Sequence, residues 1–187
     1  MILFLTNNEI TKPLILWLKR KDKVKVIDKK INLNLLDKLN PELIISYNYR
    51  YIIPKPIIKK YKIINLHISY LPYNRGAYPN VWAYIDKTPV GVSIHYIDEG
   101  IDTGDIIAQK RVVIDKNETL KTSYKKLHFH IQMLFKSIYN RIHKIKPVRQ
   151  KHKGTFHLAK EFENIKLLNR WNTKIEELIN ENRKNRH

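Results

Sequence analysis

Apolar and polar positions in this chain repeat at two different periods, and the places where the period changes mark out its elements. Residues 1–6, MILFLT, are a short and almost wholly apolar run of the kind carried by a buried strand. Residues 8–20 then set Leu14, Trp17 and Leu18 at helical spacing, and residues 24–28 give a second strand. Residues 33–39 read as a short helix stopped by Asn40 and Pro41, because the residue before a proline is pushed out of the helical region. A strand at 42–47, a helical turn after Pro54 and the run KIIN leading into Asn65 follow. A polar loop over 72–79 opens into a helix holding Trp82 and Tyr84. Two strands, 90–97 and 106–113, precede a long helix over roughly 118–144, started by Asn117 or Glu118. This β-α-β order predicts an α/β fold built on a doubly wound, mostly parallel sheet whose later strands turn antiparallel.

Beyond Pro147 the pattern loosens. QKHKGTFH is polar, and residues 160–182 carry apolar Phe162, Ile165, Leu168, Ile175 and Leu178, interrupted at Trp171, Asn172 and Thr173. The expectation is one domain over 1–147 with 148–187 as its helical extension, the last residues NRKNRH being frayed and solvated.

Composition narrows the chemistry. The 187 residues contain no cysteine, which excludes disulfides, a thiolate nucleophile and Cys-type zinc sites. The histidines lack metal-ligand spacing: His128 and His130 fall on opposite faces of a helix, His95 is mid-strand, and His152 and His157 sit in the polar tail. No metal is expected. A net charge of +19 raises nucleic-acid binding as a possibility. The lysines are spread through KRKDKVK, IIKKYK and YKK in a chain dominated by Ile, Lys, Asn and Tyr, with no aromatic-basic alternation, so compositional bias accounts for the charge and no nucleic-acid partner is expected. MILFLT is too brief for a signal-peptide core or a membrane span, which leads to the expectation of a cytoplasmic protein with no membrane partner.

Two segments carry the candidate chemistry, NLHISYLP over 65–72 and DEGIDTGDI over 98–106. Asn65 and His67 are two apart, so on a strand they project to one face. Asp102 must be brought to them by the fold. An amide, an imidazole and a carboxylate are what acyl transfer to an amine requires. The attacked carbonyl oxygen becomes negative and the attacking nitrogen positive, so one group must donate to the oxyanion and another must move a proton. Asn65 suits the first task, where a fixed donor is worth roughly 3–4 kcal/mol. His67 suits both, as a donor when protonated and a base when not. Asp102 nearby is expected to raise the His67 pKa.

Asn-x-His-x-Ser-x-Leu-Pro from Asn65, NRG over 74–76, Trp82, GVSIHYID from Gly91 and IDTGDI from Ile101 together resemble the folate-dependent formyltransferase family, most closely its sugar-nucleotide members. The resemblance covers residues 40–115 well and implies a family-type Rossmann-like fold with Asn65, His67 and Asp102 as catalytic residues. It implies N10-formyltetrahydrofolate as formyl donor, bound by Arg50, Tyr51 and Ile52 and by the loop of Asp98, Glu99, Gly100 and Ile101. The acceptor is expected to be the amine of a nucleotide-linked amino-deoxy sugar such as dTDP-4-amino-4,6-dideoxyglucose. Tyr73, Asn74, Arg75 and Gly76 would approach it, and Asn8 would stand at the helix start where related enzymes bind phosphate. Methionyl-tRNA, glycinamide ribonucleotide and a non-catalytic folate-binding role are the alternatives. A homodimer is implied by the same resemblance.

Overall fold

A computed structural model describes residues 1–183 and shows a six-stranded sheet in the order β2-β1-β3-β4-β6-β7. β1 (Ile2–Leu5), β2 (Val24–Ile27), β3 (Leu43–Ser46) and β4 (Ile63–His67) run parallel, and β6 (Gly91–Tyr96) and β7 (Ile106–Arg111) close the sheet antiparallel. Strands buried on both faces need apolar residues at every position, which is why MILFLT and LIIS show no alternation. Ile2 and Phe4 face one side, with α1 (Lys12–Lys19) and α5 (Leu120–Ile138) against them through Leu14, Leu18, Leu127, Ile131 and Phe135. Leu3 and Leu5 face the other, covered by α2 (Leu33–Leu39) and α3 (Lys55–Lys60) through Leu36 and Ile57.

A short parallel pair lies outside this sheet, β5 (Arg75–Gly76) against β8 (Phe156–His157). It ties residues beyond Pro147 to the loop that follows β4. A third apolar cluster joins α4 (Pro79–Ile85), the start of α5 and α6 (Ile175–Arg183) through Val81, Tyr84, Leu120, Ile175 and Leu178.

Four expectations need correction. The helix expected over 8–20 opens with a 3-10 turn, Glu9–Thr11, capped by the Asn8 side chain, and becomes α-helical only at Lys12. The long helix starts at Leu120 behind a Thr119 cap and ends at Ile138; residues 139–144 tighten into a 3-10 helix, where Tyr139, Asn140 and His143 are weak helix formers. The tail holds one α-helix rather than two: Ala159–Asn164 and Arg170–Asn172 are 3-10 turns, fastened by stacking of Phe162 on Tyr78 (ring centroids 4.0 Å apart) and of Trp171 on Phe162. Asn182, expected to be solvated, is buried and bonds the carbonyls of Lys166 and Leu178. The solvation expected for residues 184–187 lies outside the described residues.

Candidate active site

β4 sets Asn65 and His67 on one face, and the antiparallel register pairs Asn65 directly with His95 on β6. Asp102 arrives from the β6–β7 loop on a left-handed turn, φ +52°. The Asn65 amide nitrogen donates to Asp102 Oδ1 at 3.1 Å and lies 3.3 Å from His95 Nε2. The backbone N–H of Gly76 donates to Asp102 Oδ2 at 2.9 Å. Both carboxylate oxygens are therefore held. A carboxylate can only accept, so its contact fixes which end of the Asn65 amide faces it.

Electrostatics assigns the charges. Burial by itself would raise the Asp102 carboxyl, but His67, His95 and the Gly76 N–H outweigh it and hold the group well below the usual carboxylate range. Burial lowers His67 from its ordinary 6.5; Asp102, at 3.8 Å from His67 Nε2, raises it by less, and the neighbouring His95 lowers it further. The rise expected from Asp102 alone is thus overridden. His67 is neutral at pH 7, and because the Asn74 carbonyl 3.1 Å from Nε2 can only accept, the proton sits on Nε2.

These groups open onto a cavity of about 970 Å³, a volume at the upper end of small-molecule sites. One end is bounded by Tyr49, Tyr51, Ile52 and Ile53 on one lip and by Ile97, Asp98, Glu99, Gly100 and Ile101 on the other. Ile52 and Ile101 stand 93% and 52% exposed on the two lips, apolar surface that a flat ring system between them would cover. Tyr78, Asn80, Lys121, Tyr124, Arg170, Trp171 and Asn172 also line the cavity.

A family model described as formyl transferase matches residues 7–138. The chain belongs to the formyl transferase family. Among solved structures, the formyltransferase PseJ from Anoxybacillus kamchatkensis, in complex with UDP-4,6-dideoxy-4-formamido-L-AltNAc and tetrahydrofolate, superposes with a TM-score of 0.87 at 39% identity, covering 95% of this chain and 97% of that one. Rv3404c from Mycobacterium tuberculosis superposes at 0.83 and 26% identity, covering 98% of this chain and 85% of that one. The methionyl-tRNA formyltransferase of Caldicellulosiruptor saccharolyticus is 41% identical over 120 residues, 62% of this chain but 38% of that enzyme. That of Prochlorococcus marinus is 42% identical over 98 residues, 51% of this chain and 30% of its own length.

Within the formyl transferase frame the expected residues separate into groups. Asn65, His67, Asp102, Tyr51, Ile52, Asp98, Glu99, Gly100, Ile101 and Gly76 all line the cavity. Arg50 faces a smaller adjoining hollow of about 400 Å³, and its backbone N–H is taken by Asn7. Asn74 is fully buried and packs against Thr88 and Thr155. Arg75 is bound to Gln150 Oε1 at 2.7 Å and to the Lys153 carbonyl. Tyr73 lines neither cavity; Asn8 caps the turn before α1 and reaches the Tyr124 hydroxyl at 3.3 Å.

Sequence reasoning missed His95 and Gln150. His95 is legible only once the strand register is known, and Gln150 lies in a polar run without periodicity. Its amide donates to the carbonyls of Asp102 (2.9 Å) and Gly104 (2.8 Å), while its oxygen accepts from Arg75. Gln150 thereby ties the Asp102 turn to the strand that carries Gly76.

Proposed function

We propose that this protein transfers the formyl group of N10-formyltetrahydrofolate to the 4-amino group of a nucleotide-linked 4-amino-4,6-dideoxyhexose. The observation that carries the reading is the convergence of Asn65, His67 and Asp102 in the wall of one cavity whose lining also includes the apolar residues of 49–53 and 97–101 and the cations Lys121 and Arg170. The apolar lips at 49–53 and 97–101 suit a pterin ring, whose donor supplies the formyl carbon. The wall around Lys121 and Arg170 is left for the sugar nucleotide. The likeness to PseJ spans 95% of this chain and so takes in tail elements that line that wall, which favours a UDP-linked acceptor of the L-AltNAc type over dTDP-4-amino-4,6-dideoxyglucose. Methionyl-tRNA is the second reading, favoured by the curated relatives, whose likeness covers 62% of this chain in the nearer case cited.

The chemistry assigned to this chain follows from its protonation states. Neutral His67 shares its Nε2 proton between the Asn74 carbonyl and the negative charge developing on the formyl oxygen, to which the Asn65 amide also donates; a full donor of this kind is worth roughly 3 kcal/mol in a water-excluded site. Asp102 stays ionised and takes the proton that the attacking amine sheds, directly or through one water, for delivery to the departing folate nitrogen. In the free protein the Asn65 amide is oriented by Asp102 and His95, so little reorganisation remains at the moment of reaction.

The test is mass spectrometry of an acceptor panel incubated with formyl donor and protein: the UDP-linked 4-amino precursor of the PseJ ligand, dTDP-4-amino-4,6-dideoxyglucose, its 3-amino isomer, glycinamide ribonucleotide and methionyl-tRNA. Gain of one formyl group by a 4-amino sugar nucleotide is expected. Formylation of methionyl-tRNA alone would replace this reading.

A further inference from the structure

One part of the cavity wall is built from three separate stretches of chain. Val81 and Leu120 share one apolar cluster with α6, which draws their neighbours Asn80 and Lys121 to the same side. The Leu120 N–H donates to the Thr173 carbonyl at 3.0 Å and the Thr173 N–H to that of Arg170, so the Arg170–Asn172 turn is fixed against the first turn of α5. Asn80, Lys121 and Arg170 all line the cavity.

Two independent features of this wall call for a ligand. Six described side chains hold a buried nitrogen or oxygen with no hydrogen-bond partner: Ser69, Asn80, Trp82, Tyr84, His128 and His130. Asn80 is the one among them that lines the cavity, and it is 3% exposed. An unmet buried donor costs about 1–3 kcal/mol, which a ligand acceptor would recover. The charge distribution is the second feature. Lys55, which also lines the cavity, is neutralised by Glu99 at 2.9 Å, with Lys59 also beside that carboxylate. Lys121 and Arg170 carry no ion pair among the described residues, and the carboxylates in the cavity lining, Asp98, Glu99 and Asp102, are bonded to Thr103, Lys55 and Asn65. The first turn of α5, a helix of 19 residues, adds the positive end of a helix dipole.

We infer that Asn80, Lys121 and Arg170 form the subsite for the diphosphate of the acceptor, Asn80 Nδ2 donating to a phosphate oxygen while the two cations offset the charge. The inference rests on the sugar-nucleotide reading and deepens it, assigning the nucleotide to the α4–α5–tail wall and leaving the end between the isoleucines for the folate. Arg75, held by Gln150 and the Lys153 carbonyl, is not required for it.

UDP alone is the probe, titrated calorimetrically into wild type and into Lys121→Gln, Arg170→Gln and Asn80→Asp, with tetrahydrofolate titrated in parallel. The two exposed cation positions can be changed without risk to folding. Each cation variant should weaken UDP binding roughly tenfold, the worth of a charge-assisted contact, and Asn80→Asp by more, because a carboxylate would then face phosphate. Tetrahydrofolate affinity should stay within about twofold of wild type, since no contact to it is removed. Wild type that fails to bind UDP, or cation variants that bind it as wild type does, would overturn the inference. If the panel shows formylated sugar nucleotide while the variants keep the wild-type KM for that acceptor, the subsite falls and the proposed function stands. If UDP binding follows the predicted pattern and no sugar nucleotide is formylated, the proposed reaction falls and the diphosphate subsite stands.

Discussion

His67 shows how two opposing effects on one residue decide its role. Asp102 lies near enough to favour the imidazolium, yet burial is the larger influence and the ring stays neutral. The sign has a kinetic consequence. A group whose pKa lies below 6.5 keeps its neutral form through the neutral range and loses it only on the acid side. The profile of kcat/KM against pH should therefore be level near pH 7 and fall below about 6.5. Asp102 remains ionised throughout that range and contributes no limb. A basic limb instead, with activity lost as pH rises through the neutral range, would show that His67 works as an imidazolium. Asn65 and His67 were legible as a pair because their spacing puts them on one strand face, and Asp102 was placed with them by the resemblance. His95 was not legible, because its partnership with Asn65 exists only through the β4–β6 register.

At the level of elements, the site depends on a small sheet remote in sequence. Gly76 has φ +86°, and a Cβ built there would fall 2.3 Å from the His157 carbonyl oxygen. Gly76→Ala should cost about 1–3 kcal/mol by strain alone. It should also separate β5 from β8 and draw the Gly76 N–H away from Asp102, so thermal melting is expected to show a lower Tm and kinetics a lower kcat. A variant with wild-type Tm and kcat would show that the β5–β8 pairing is dispensable. Gln150→Ala removes both donors that brace the Asp102 and Gly104 carbonyls. Its kcat should drop on the order of tenfold or more through misplacement of the carboxylate, with tetrahydrofolate affinity retained. An unchanged kcat would show that Gln150 does not position Asp102. The strands and helices of the sheet were readable from periodicity. The tail was not, because its 3-10 turns are held by aromatic stacking between Tyr78, Phe162 and Trp171 rather than by an amphipathic pattern.

The whole molecule pays for two buried imidazoles as pH falls. His128, 1% exposed, shares a hydrogen bond with the Tyr47 hydroxyl through Nδ1 and is pushed by burial to about 3, and His67 is lowered as well. Below 6.5 the unfolded chain binds protons that the folded chain refuses, so stability present above that pH is lost at about 1.4 kcal/mol per pH unit for each such group. The urea midpoint should thus be lower at pH 5 than at pH 7, and a His128→Leu variant should show a smaller difference. Equal midpoints at the two pH values would contradict the buried neutral assignments. No helix among the described residues is long and apolar enough to cross a membrane. The basic composition was plain from the sequence, whereas the gathering of Lys121 and Arg170, without ion pairs among the described residues, on one cavity wall required the packing of α4, α5 and the tail.

The most direct test of the account is single-turnover formyl transfer to the UDP-linked 4-amino sugar, run with wild type and Asp102→Asn side by side under saturating donor. The account predicts transfer by wild type and a rate at least about a hundredfold lower for the variant, with tetrahydrofolate binding and circular dichroism preserved. Equal rates in the two proteins would contradict the role of Asp102 and place the chemistry elsewhere in the cavity.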